Sequence, residues 1–261
     1  MQIPSGNSGQ LSLNRAQTES QIQTQRISSG KRINSAGDDA AGLSIASRLD
    51  AQIASGVAAR KNIFDGISRL QVEDGALGSI GEELQRIREL AVQQQSGVLS
   101  AEDKGLIQQE IDQRLDAISA QSSNTEFNSQ AVFQEGDLTV QTGENGGQTV
   151  EFQTTDIGQV LQSIGLTSGT TLSLEQIDQG LSLVNERRSD VGAISNRLET
   201  QADFQQLKNN QNQSASSRIQ DADLAEAISK KTSADIQQKV AISVQSQANL
   251  NKSLVLNLLN S

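Results

Sequence analysis

The chain has 261 residues, 34% of them hydrophobic, with one Pro, five Phe and no Cys, His, Trp or Tyr; 31 acidic residues against 21 basic ones give a formal charge of −10. Without Cys or His the usual zinc ligands, a Cys nucleophile and a Ser–His–Asp triad are excluded, and acid–base work near neutrality loses its ordinary residue. The acidic balance and the scarcity of aromatics argue against nucleic-acid binding, which needs basic patches and stacking platforms.

In chain order, residues 1–38 are polar, with sparse anchors at Leu11, Leu13, Ile22, Ile27 and Ile33. The opening Met1-Gln2-Ile3-Pro4-Ser5-Gly6-Asn7 has neither a basic nor an apolar leader region, so no secretory signal is expected. No stretch approaches the ~18 apolar residues that a membrane-spanning helix needs. After Gly37-Asp38-Asp39, an acidic pair suited to a helix N-terminus, Leu49, Ile53 and Val57 step by four. Ile63, Ile67, Leu70, Leu77, Ile80, Leu84, Ile87 and Ala91 then step by threes and fours, with Asp74 at the skipped position, which marks a coiled-coil-like seam. A helix over about Ala40–Gln95 is predicted, roughly 80 Å long at 1.5 Å per residue. Gly56, Gly66, Gly75, Gly78 and Gly81 inside it are expected where neighbouring helices approach closely.

Ser96-Gly97 breaks that helix, and Ser100-Ala101-Glu102-Asp103 reads as the cap of an antiparallel second one carrying Ile107, Ile111, Leu115 and Ile118. Leu138–Gln141 and Thr149–Phe152 flank a Gly-rich turn and predict a β-hairpin, near 137–153, followed by a short helix near Ile157–Ile164 and an exposed loop over Leu166–Thr171. A third long helix begins near Leu172-Ser173-Leu174-Glu175; its seam is Leu174, Ile177, Leu181, Val184, Val191, Ile194 and Leu198, with Arg188 at the skipped position. Beyond Asp221-Ala222-Asp223, the apolar residues Leu224, Ile228, Ile236, Val240 and Val244 line one face, followed by Leu250, Leu254 and Leu258. Two polar arms with thin apolar stripes do not repay their own ordering entropy alone and call for partners.

Candidate chemistry is thin. Ser28-Ser29-Gly30-Lys31 lacks the first Gly and the final Ser/Thr of a phosphate loop, and Gly75–Gly81 has the wrong spacing for a dinucleotide fingerprint. Asp221-Ala222-Asp223 and Gly136-Asp137 offer no calcium-ligand series, so capping is their expected role. No catalytic, cofactor or metal residues are assigned, and no enzyme activity is expected.

Arg26-Ile27-Ser28-Ser29-Gly30-Lys31-Arg32-Ile33-Asn34-Ser35-Ala36-Gly37-Asp38-Asp39-Ala40-Ala41-Gly42 closely resembles the N-terminal signature of bacterial flagellins, as does Leu84-Gln85-Arg86-Ile87-Arg88-Glu89-Leu90-Ala91-Val92-Gln93. Arg188–Leu198 is similar to the family's C-terminal core segment, and Ser217–Asp223 to the junction before its last helix. The resemblance covers nearly the whole chain, although residues before Arg26 are a few positions short, and Glu19, Ser20 and Gln21 stand where apolar residues are common.

The resemblance implies a mainly α fold, a long-helix bundle with a small β-hairpin excursion, whose terminal helices pair as a coiled coil. Residues 1–38 and 216–261 would be inner-tube arms and 39–215 an outer-tube core, without the variable outer domains many flagellins insert. It further implies a secreted, extracellular subunit that self-assembles into the flagellar filament for motility and leaves the cell by type III export. Expected partners are further copies of the chain, an export chaperone, the filament cap and junction proteins, with neither nucleic acid nor membrane. Arg86, Leu90 and Glu110 match the family's surface for toll-like receptor 5, and Leu250, Leu254, Leu256, Leu258 and Leu259 its terminal polymerisation motif. The alternatives are a hook–filament junction protein and a secreted non-enzymatic adhesin or immune ligand.

Overall fold

The computed structural model describes the backbone of residues 7–259 and the side chains of residues 9–251, 253 and 254. Along the chain run α1 (Asn7–Ser29), α2 (Ala36–Gln94), α3 (Ala101–Asn124), the strands β1 (Glu126–Phe127), β2 (Gln130–Ala131), β3 (Gly136–Gln141) and β4 (Thr149–Thr154), then α4 (Ile157–Ser163), α5 (Leu174–Gln220) and α6 (Leu224–Leu259). The fold is mainly α, with long helices and small β-hairpins. The chain forms two compact units. One comprises α1, α2 as far as Ile53, α5 from Asn210 onward, and α6; the other is Ala54–Asn209. The division falls inside α2 and α5, not at a turn.

Helix ends follow local chemistry. Asp39 is extended (φ −165°, ψ 97°), and its Oδ1 accepts the Gly42 N–H at 2.9 Å, so regular helix starts after it. Ser100 and Asp103 form a reciprocal capping box at α3, and Ser173 and Gln176 exchange the same pair of bonds at α5. Asp156 caps α4 through the Gln159 N–H.

The second unit holds the large core. Every apolar position of the α2 seam from Ile63 to Ala91 is buried, against Ile111, Leu115 and Ile118 of α3 and Ile177, Val184, Val191 and Leu198 of α5. At Gly66 an added Cβ would sit 3.2 Å from Val140 and 3.4 Å from Leu198, and at Gly56 it would collide with Gln205 and Asn209, so two of the five glycines mark close approaches. Gly75 and Gly78 have open space beside them, and the packing reason expected of them is absent.

β3 and β4 pair antiparallel, Gly136 with Thr154 through Gln141 with Thr149. Their inner face is Val140, Val150 and Phe152. A second hairpin, β1–β2, was not legible in sequence: its two-residue turn, Asn128-Ser129, takes φ of 51° and 62°, and Ser is an uncommon choice there. The loop over Leu166–Thr171 is exposed only in part. Leu166 is buried in the core, because Gly180 leaves room for it, and the Gly169 N–H donates to Asp112 at 3.0 Å.

The skipped seam positions are also displaced by one residue from the sequence reading. Asp74 and Arg188 do pair, at 2.9 Å, but on the surface. The inward positions belong to Glu73 and Arg187, with Arg69 beside them. Arg187 Nη2 lies 2.6 Å from Glu73 Oε1 and Arg69 Nη1 lies 3.5 Å from Glu73 Oε2. Arg187 also donates to the Gln153 carbonyl and Arg69 to the Val132 carbonyl, so the buried trio ties both helices to the β-region.

Candidate assembly and recognition surfaces

In the first unit α1 and α6 run antiparallel. Ser20 Oγ donates to Asp235 Oδ1 at 2.6 Å, and beyond the end of α1 the Ala222 N–H donates to the Gly30 carbonyl at 2.9 Å. The residues turned inward on α1 are Gly9, Leu13, Ala16, Ser20, Gln23 and Ile27, and on α6 Ala227, Lys231, Ala234, Gln238, Ala241 and Gln245. Both sets step alternately by three and four, so the arms pair as a coiled coil with a small, polar seam. Gln23 is held by Glu19, and Asp235 by Ser20 and by Lys231 at 2.7 Å. Glu19 and Ser20 therefore serve this seam. Lys231 and Ser20 hold the Asp235 carboxyl below its ordinary range.

The larger aliphatics of α6 lie elsewhere. Leu224, Ile228, Ile236, Val240 and Val244 are between 48% and 61% exposed, as are Leu250 at 56% and Leu254 at 59%. The side chains of Leu256, Leu258 and Leu259, named with them as polymerisation residues, fall outside the described residues. Sequence periodicity finds this outward row because its apolar character is strong, and misses the alanine seam because alanine carries little contrast.

The signature segment between the arms has a local explanation. Gly30 takes φ 69° and closes α1, a left-handed cap that a side chain would strain. Arg32 donates its N–H to the Gln220 carbonyl at 2.6 Å and a guanidinium N–H to the Ile219 carbonyl at 2.8 Å. Asp38 accepts from the Asn34 and Ser35 backbones and from the Ser35 hydroxyl, which hold its carboxyl below the usual range. Ser28–Lys31 is therefore a helix terminus followed by an isolated antiparallel bridge from Lys31 to Asp221, and Asp223 caps α6 through the Ala225 and Glu226 N–H groups.

In the second unit, Arg86 and Glu110 meet across α2 and α3. Arg86 bonds Glu89 at 2.7 Å and approaches Glu110 at 3.7 Å; Arg114 bonds Glu110 at 3.0 Å and Glu83 at 2.8 Å. This ladder lies on the surface, with Arg86 48% and Glu110 40% exposed. Leu90 is placed differently: at 3% exposure it belongs to the core. The exposed apolar side chains Val92, Val98 and Leu106 lie on the flanking α2–α3 segments.

An open cleft of about 610 Å³ beside β3, β4 and α4 presents Glu135, Asp137 and Asp156 with threonines and two glutamines, but among the described residues no three His, Cys, Asp or Glu side chains group to hold a metal ion.

A family model described as the bacterial flagellin N-terminal helical region matches residues 5–137, and one described as the bacterial flagellin C-terminal helical region matches residues 174–259. A flagellin of Halalkalibacterium halodurans is 36% identical over 249 residues, 90% of each chain. A flagellin of Salmonella muenchen is 44% identical over 158 residues, which are 60% of this chain but 31% of that longer one. The crystal structure of Bacillus cereus flagellin superposes with a TM-score of 0.51 at 26% identity, covering 56% of this chain and 88% of the other. The paired terminal helices, the seam-packed second unit and these matches over both ends place the chain in the bacterial flagellin family, the structural subunits of the flagellar filament.

Proposed function

We propose that this chain is the repeating subunit of an extracellular flagellar filament serving motility, exported through the type III apparatus and assembled from copies of itself. One observation carries the reading: α6 keeps its aliphatic row in solvent while its contact with α1 uses alanines and polar side chains. An exposed apolar face of this extent marks an interaction surface. A second copy is its occupant, because the row follows a helix and a helical neighbour offers the matching stripe. The same row and the C-terminal leucines suit an export chaperone before assembly, with the filament cap and junction proteins acting at the filament ends.

Purified chain is expected to polymerise into micrometre-long fibres visible by electron microscopy. Removing residues 254–261 is expected to leave a folded, soluble monomer that forms none. Fibres growing normally from the truncated chain overturn the assignment. Fibre formation also separates it from the hook–filament junction protein and from the soluble adhesin or immune ligand.

A second role rests on the ladder. Arg86 and Glu110 present paired opposite charges on two helices, a surface suited to toll-like receptor 5, while Leu90, buried in the core, contributes through the packing of α2. Arg86→Ala and Glu110→Ala monomers are expected to lose receptor affinity with their thermal unfolding little changed. Wild-type affinity in both variants overturns this role without touching the filament assignment.

A further inference from the structure

We propose that Asn145 is a site of spontaneous covalent modification: the backbone nitrogen of Gly146 closes on the Asn145 side-chain amide, and water opens the resulting ring to leave aspartate or isoaspartate at the β3–β4 tip. Asn145-Gly146 is the only Asn-Gly pair in the chain. Glycine puts no side chain in the way of its own nitrogen, and a Cβ built at Gly146 meets nothing within 4 Å.

The tip holds the reacting residue while leaving its reacting groups unengaged. The Asn145 N–H donates to Gln148 Oε1 at 3.2 Å, and its carbonyl accepts from Gln141 Nε2 at 2.7 Å and from the Gln148 N–H at 3.3 Å. Among the described residues, neither the Asn145 side-chain amide nor the Gly146 N–H has a hydrogen-bond partner, and both residues are exposed to water. Other Asn sites differ. Asn34 commits its amide to the Lys31 carbonyl at 2.9 Å, and Asn128 is followed by Ser129, which carries a side chain. Many of the rest lie in helices, whose backbone N–H groups are bonded.

The chemistry closes without an oxidant or a cofactor. Gly146 nitrogen loses its proton to solvent hydroxide and bonds Asn145 Cγ; the Cγ–Nδ2 bond breaks, and the amide nitrogen takes up a proton and leaves as ammonia. Water then attacks one of two ring carbonyls. Attack at Cγ frees the Gly146 nitrogen from the side chain and leaves aspartate. Attack at the backbone carbonyl carbon leaves isoaspartate, with the chain routed through Cβ and Cγ and lengthened by one methylene. One water is consumed and one ammonia released.

The product bears on how the hairpin is held. Glu144, next in the chain, is almost fully buried at its side chain, where it meets Lys208 and accepts from Gln205 at 3.3 Å, tying the tip to α5. Modification sets a second carboxylate beside this one, and isoaspartate also stretches the turn that the Gln148 N–H to Asn145 bond closes. The tip then comes away from α5.

The test incubates the full chain in neutral and mildly alkaline buffer and cleaves it after glutamate in mild acid, which releases residues 145–151. The expected result is the mass gain of an amide turned acid in that peptide, faster in alkali. Labelling by an isoaspartyl methyltransferase should rise in parallel. Gly146→Ala should lose most of the gain; the site has room for the methyl, and Gly146 is not among the glycines with positive φ. An amide that stays intact while a free peptide of residues 140–151 is converted overturns the proposal. So does an undiminished gain in Gly146→Ala.

Discussion

The two units share α2 and α5 but follow different rules. In Ala54–Asn209 the seams bury Ile, Leu and Val almost completely, and Ile63, Leu77, Leu84, Ile87, Ile177 and Leu198 are at 0% exposure. In the arm unit the buried residues are mainly small or polar: Ala16, Gln23, Ala46, Ser216, Gln220, Ala227 and Ala234, with Ile33 the large exception. Apolar burial stabilises by about 25 cal/mol per Å², so an alanine seam contributes far less per turn than an isoleucine seam. The arms hold their larger aliphatics outward. One unit is packed on large aliphatics, and the other on small and polar side chains.

Several variants test that contrast, the first being expected to have the largest effect. Glu73→Ala leaves Arg69 and Arg187 buried without their carboxylate, and should cost about 3–5 kcal/mol in urea unfolding. Leu84→Ala opens a cavity at a fully buried seam position and should cost about 2–5 kcal/mol by the same measurement. Removing the α3 cap with Ser100→Ala is expected to cost about 1 kcal/mol. Val240→Ala, on the outward row of α6, should change monomer stability by less than about 0.5 kcal/mol. Its signature is slower fibre growth by light scattering. If Val240→Ala instead destabilises the monomer as Leu84→Ala does, the two units do not differ as described.

The last test concerns pH. Asp235 is held below its ordinary value of 3.8, chiefly by Lys231 and Ser20. A carboxylate lowered on folding contributes stability in full above its unfolded value, and that contribution disappears as pH falls through the folded one. Arm helicity by circular dichroism should therefore fall in acid below the normal Asp range. Asp235→Asn should flatten that part of the profile. The effect is small because the pair is partly exposed.

Legibility in the sequence tracked the contrast between a residue and its surroundings. Ile63 to Ala91 stood out because large aliphatics recur in polar company, and Ser100 and Asp103 because a capping box needs two residue types at fixed spacing. The Asn128-Ser129 turn carried no such mark. Nor did Glu73 and Arg187: Asp74 and Arg188, one residue on, give an equally plausible break in the seam, and only the neighbouring helix distinguishes them. Of the site residues, Arg86 and Glu110 lie together, but Leu90 is core; a leucine at seam spacing reads alike whether its far side is water or protein.

What the amino-acid sequence determined by itself is the family, the long uninterrupted helices allowed by a lone Pro at position 4, the caps that begin them, and the absence of Cys and His. These are properties of single residues and of spacing along one helix. Tertiary structure decided which face of each helix turns inward: α1 meets α6 through alanine and glutamine, Glu73 instead of Asp74 enters the core, and Leu166 folds under its loop. The physical reason is that periodicity reports a stripe, while burial depends on what a second element can place against it.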